Sequence, residues 1–166
     1  MLIYHPAFDA YHCVFRMLKV LAKVPTLEFA KLRILDFYLC FPAEVSDIQI
    51  PREQVGIKKA AKEIRNEYRG PVSVSRTFRD MEAIHLAAAR LLASSRFLDP
   101  TSLENGIIVR TETPLPEALD KKLQEEVFLE GSVPDYIVSR MSQIPLTGMN
   151  GLKQRTGLME YRYDAA

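Results

Sequence analysis

Apolar residues recur at helical spacing along most of this chain. Tyr11, Val14, Phe15, Leu18 and Leu21 stand three and four apart and predict a first helix over 9–22, with Asp9 as its N-cap. Pro25 ends it by removing a donor and biasing Val24 towards extended backbone. Thr26 then reads as the cap of a second helix, with Glu28 in its first turn. Leu27, Ala30, Ile34, Phe37 and Phe41 form the stripe of this helix, and Leu32, Leu35, Tyr38 and Leu39 widen it. So broad an apolar surface predicts a central helix buried nearly all round, stopped by Phe41-Pro42.

The next helix, expected over 52–68, is patterned differently. Ile57, Ala60, Ala61, Ile64 and Tyr68 make a narrow seam among charged and amide residues, and Gly70-Pro71 closes it, as in a surface helix. Phe78, Met81, Ile84, His85, Ala88, Leu91 and Leu92 predict a fourth helix over 77–94. Asn105-Gly106 before Ile107-Ile108-Val109-Arg110-Thr111 signals a short β-hairpin. Helices followed by a hairpin are the order of a winged helix-turn-helix. Beyond Pro114 and Pro116, helical patterns over 117–130 and 135–143 are broken by Gly131 and Pro134. The expected fold class is mainly α with a small β-hairpin: a winged helix-turn-helix-like helical domain over 1–113, a C-terminal helical appendage over 114–145 and an irregular, Gly-rich tail over 146–166. That tail keeps Leu152, Leu158, Met159, Tyr161 and Tyr163, so it is expected to lie on something rather than to act as a solvating linker.

Composition narrows the class further. The chain has 166 residues, 48% of them hydrophobic and 26% charged, which suits a folded domain and excludes a disordered one. No apolar run approaches the roughly 18 residues of a membrane span. Met1-Leu2-Ile3-Tyr4-His5-Pro6 lacks the basic n-region of a signal peptide, and two cysteines form neither a disulfide framework nor a zinc quartet. A reducing cytoplasm is the expected location.

Candidate chemistry is sparse. There is no Gly-rich phosphate loop and no Gly-x-Ser-x-Gly elbow. Cys40 reads as a small buried hydrophobe, and Cys13 beside His12 points about 100° away from it on a helix. His5, Asp9 and His12 could hold a metal on one continuous helix, but Pro6 and an Asp9 cap place His5 before the helix and spoil that geometry. His85 shares the apolar stripe and reads as a core histidine. No catalytic residue, metal site or cofactor is expected.

Charge adds more. The total is only +1, yet residues 52–79 hold eight basic and three acidic side chains, a net +5, while 101–150 hold four basic and eight acidic, a net −4. Lys58, Lys59, Lys62, Arg65, Arg69, Arg76 and Arg79 are therefore the candidates for contact with DNA or an acidic partner. Sequence-specific reading of bases is disfavoured, because Met81, Glu82 and Ala87-Ala88-Ala89 give the fourth helix few groups that pair with base edges. A stand-alone winged-helix DNA-binding regulator is the rival to an adaptor.

Two stretches carry a resemblance. Tyr4-His5-Pro6-Ala7-Phe8-Asp9-Ala10-Tyr11-His12 with Lys31-Leu32-Arg33-Ile34-Leu35-Asp36-Phe37-Tyr38-Leu39-Cys40-Phe41-Pro42, and the tail from Asn150 to Asp164, resemble the middle component of bacterial ABC three-component systems. The resemblance implies a non-enzymatic subunit of a Lamassu-type antiphage or antiplasmid complex. Such a subunit would bridge an SMC- or Rad50-like ATPase and an effector such as a nuclease, with non-specific DNA contact inside the complex. It carries over no catalytic residue. Gly151, Leu152, Lys153, Arg155, Leu158, Tyr161 and Arg162 are the candidates for docking on a partner.

Overall fold

A computed structural model describes residues 5–164; Met1–Tyr4, where a leader was sought, and Ala165-Ala166 lie outside them. The first helix, α1 (Ala10–Lys23), starts where the sequence places it, because the Asp9 carboxylate accepts the His12 N–H at 2.9 Å. Cys13, Phe15, Met17, Leu18, Val20 and Leu21 are buried, while Tyr11 is exposed in the first turn. The central helix, α2 (Phe29–Cys40), is buried over Ile34, Leu35, Asp36, Phe37 and Tyr38 in succession, as its broad apolar pattern requires.

The start of α2 differs from expectation. Thr26–Glu28 is not its cap and first turn but a strand, β1, antiparallel to the strand Ile107–Val109, with Leu27 opposite Ile108. Pro25 explains the change: it holds the chain extended, and its carbonyl accepts the Arg110 N–H at 2.8 Å. Leu27 and Ile108 then bury together.

Other boundaries move as well. The helices expected over 117–130 and 135–143 are found over Glu117–Glu125 and Val133–Ser139, with Pro134 inside the first turn of the second. The surface helix, α3 (Val55–Glu63), stops short of the expected end, and Tyr68 is left 95% exposed. Asn66 accounts for this, since its side-chain oxygen takes the Tyr68 N–H at 2.9 Å and competes with the helical bond. The expected helix over 77–94 is two helices, α4 (Val74–Asp80) capped by Ser73, and α5 (Glu82–Ser94), separated by Met81. The break lets Phe78 meet Phe37 edge-on, with centroids 5.9 Å apart, while His85 turns into the core.

The chain continues through α6 (Pro100–Glu104), with Asp99 as its cap, into β2 (Ile107–Val109). Gly106 has φ +76°, which a left-handed exit from α6 requires. The Asn105-Gly106 signal thus marks a helix exit, and the partner of β2 is the distant β1, with one isolated bridge from Leu98 to Arg110. α7 (Glu117–Glu125), α8 (Val133–Ser139) and the short α9 (Leu152–Thr156) complete the α-helices of the described residues. The architecture is mainly helical with a two-stranded antiparallel sheet, as the pattern led us to expect. One buried cluster joins α1, α2, α5, α8 and the strands, and it includes Leu146, Leu152 and Leu158 from the tail. Among the described residues no helix is long and apolar enough to cross a membrane.

Candidate functional site

The densest polar chemistry lies inside this core. Asp36 on α2 and His85 on α5 are both 0% exposed. Arg16 on α1 grips the Asp36 carboxylate with two bonds, Nε to Oδ1 at 2.7 Å and Nη2 to Oδ2 at 3.0 Å. His85 Nε2 is 2.9 Å from Oδ2, and Arg33 Nε donates to His85 Nδ1 at 3.4 Å. Since Arg33 can only donate, Nδ1 accepts, and Nε2–H is left to donate to Asp36. Arg33 in turn pairs with Glu82 at 3.2 Å and lies over the Phe78 ring. The network ties α1, α2 and α5 together. Burial pushes the Asp36 carboxyl up, but the hydrogen bonds from His85 and Arg16 outweigh it and hold it below its ordinary value.

Cys13, Asp36 and His85 also bring three potential metal-ligand atoms within 4.8 Å of one another. Their chemistry does not suit a cation. A metal on Nε2 would require Nδ1–H, which would face the N–H of Arg33, and the carboxylate is already gripped by Arg16. Nor is this a nucleophilic triad: the Cys13 Sγ–H is directed at Asp36 Oδ2, 3.8 Å away, not at the histidine. Burial, and then the Asp36 charge, push the Cys13 thiol well above its ordinary value. Cys13 in the native protein should therefore resist a thiol-specific reagent such as dithionitrobenzoate and react only on unfolding. Rapid native labelling of that residue would contradict the packing described here.

The other histidines have structural tasks. His5 Nδ1 accepts the Ala7 N–H and its ring stacks on Phe41, while His12 Nδ1 lies 3.0 Å from the capping Asp9.

The basic candidates are mostly exposed, Arg76 and Arg79 among them. Lys59, Lys62, Arg65 and Arg69 are exposed and Lys58 is half-buried. Arg65 is engaged by Asp47 at 2.7 Å and bonds to Ser46, and Arg76 stands 3.8 Å from Asp80. Of the tail candidates, Gly151, Leu152 and Leu158 are buried in this chain's own body. Lys153 pairs with Asp164 at 3.0 Å, and Arg155 donates to the Gln49 carbonyl at 2.7 Å. Tyr161 and Arg162 remain outside, and they share one cleft with Arg79.

Sequence reasoning passed over Asp36, although its signal was present. A carboxylate in the middle of the most apolar helix must be paired if it is buried.

The molecule is thus a small helical body whose buried Arg16–Asp36–His85 network serves its own packing and whose charges divide by segment. Residues 2–164 match the family described as ABC-three component (ABC-3C) system Middle Component 5. The chain belongs to this family, and so is a middle component of such a system. No curated protein and no solved structure matches it.

Proposed function

We propose that this chain is a non-enzymatic adaptor in a cytoplasmic Lamassu-type complex, bridging an SMC- or Rad50-like ATPase component and an effector component such as a nuclease. The observation that carries the reading is the family match over 2–164. The core network supports it, because Asp36, His85 and Arg16 use their bonding groups on one another rather than on a ligand. Segments of opposite net charge support it too, since they suit a subunit lying between two unlike partners. The winged-helix reading of the first part of the chain draws support from β1, which lies between α1 and α2 and pairs with the strand after α6.

Co-expression with the other two components of its system tests the proposal. The expected result is co-purification with both. Association with neither, together with sequence-specific shifts of duplex DNA that weaken on Arg76→Ala and Arg79→Ala, would replace the adaptor by the stand-alone regulator.

A further inference from the structure

Most cations of the tail are already spent. Lys153 is held by Asp164, and Arg155 by the Asn150 and Gln49 carbonyls, which leaves Arg162. Arg79 on α4 likewise has no carboxylate partner among the described residues, whereas its neighbour Arg76 stands near Asp80. Both arginines are among the residues that line one surface cleft of about 400 Å³, together with Ser75 and Gly157–Tyr161. The only carboxylate in its lining, Glu160, is turned to its own backbone: Oε1 accepts the Tyr161 N–H at 3.0 Å and the Arg162 N–H at 2.8 Å. Leu158 beside it is buried, so the half-buried Met159 is the main apolar contribution to a largely polar lining, and Tyr161 and the 90% exposed Tyr163 stand on the adjoining tail. Arginine and tyrosine are residue types enriched at protein–protein interfaces.

We propose that this cleft receives an acidic segment of a partner protein, with an aspartate or glutamate side chain paired to Arg79 and Arg162 and an apolar neighbour against the half-buried Met159. Arginine suits this task because its planar fork matches a carboxylate. A protein is favoured over a nucleic-acid backbone, which would need a longer line of cations. The residues that follow the cleft in sequence, Asp80, Glu82 and Asp164, are acidic instead. The inference rests on the reading of this chain as an adaptor, and it names the chemistry of one contact.

The test uses the full-length protein and the other two components of its system, each immobilised in turn. The variants are Arg79→Glu/Arg162→Glu and Arg79→Ala/Arg162→Ala, with the charge-matched control Arg90→Glu/Lys121→Glu. Thermal melting confirms that each remains folded. The double reversal should weaken binding to one component about tenfold or more, and the alanine pair less, with the control unaffected. If the wild-type chain binds neither component, the adaptor reading itself fails. If it binds and the double reversal binds equally well, the cleft proposal fails and the adaptor stands. Loss of duplex DNA binding with component binding intact would also overturn it, and would give the cleft to nucleic acid.

Discussion

Asp36→Ala should lower the unfolding free energy by about 3–5 kcal/mol and the melting temperature by roughly 6–20 °C. The cost arises from what is left behind. Arg16 would keep a mostly buried guanidinium without its two-bond partner, and the His85 Nε2–H would face no acceptor inside the core. His85→Ala should cost less, because Asp36 retains both bonds from Arg16. Urea unfolding of the three proteins checks the order, and a loss below about 1 kcal/mol for Asp36→Ala would show the network to be dispensable. The pH dependence has a fixed sign. The folded carboxyl lies below its ordinary value of 3.8, so its contribution is complete above that value and disappears as pH falls through the lower, folded pKa. The stability gap between wild type and variant should therefore be constant near neutrality and narrow only below about pH 4.

Gly151→Ala is expected to be the next most damaging change. A methyl group there would meet the Thr147 carbonyl oxygen at 2.5 Å, its carbon at 2.7 Å and the Leu146 oxygen at 3.0 Å, and all three belong to the backbone. The turn cannot simply open, because Leu152 N–H donates to the Pro145 carbonyl and Lys153 N–H to that of Leu146. A loss of about 1–3 kcal/mol follows if the turn absorbs the strain, and more if Leu152 is levered out of the core. Gly56→Ala provides the contrast. It lies in α3 with nothing within 4 Å of the added carbon and should stabilise the protein by about 0.4–1 kcal/mol. Melting temperatures that moved the same way for both would contradict this account of the tail.

Which parts of the fold the sequence revealed follows from the range of the forces involved. Helix limits set by local chemistry were legible: Asp9 caps α1 through its own side chain, and Phe41-Pro42 terminates α2. Helix limits set at a distance were not. Thr26 reads as a cap until Ile107–Val109 supplies the strand that claims its backbone. The end of α3 was missed for a different reason: Tyr68 continues its apolar spacing, and the local turn in which Asn66 takes the Tyr68 N–H outweighs that pattern. Distance also limited the reading of the candidate site. Each charge could be read singly, but not that Arg155 and Lys153 would be used internally while Arg79 and Arg162 would share a cleft. Asp36 was visible as a letter, and its meaning depended on Arg16 and His85, which belong to other helices.

The separation of these contacts along the chain bears on how the protein is made. His85 and Asp36 are 49 residues apart, and Arg155 reaches a carbonyl 106 residues upstream. At about 5–20 residues per second of translation, α1 and α2 emerge seconds before α5 can meet their buried carboxylate. β1 stays an open edge longer still, until Ile107–Val109 has left the ribosome. The nascent N-terminal half therefore carries an unpaired strand and an unmet buried carboxylate until the later segments arrive. Late-arriving residues finish the body, so a chain truncated before β2 should be cleared by proteases rather than persist as a stable half.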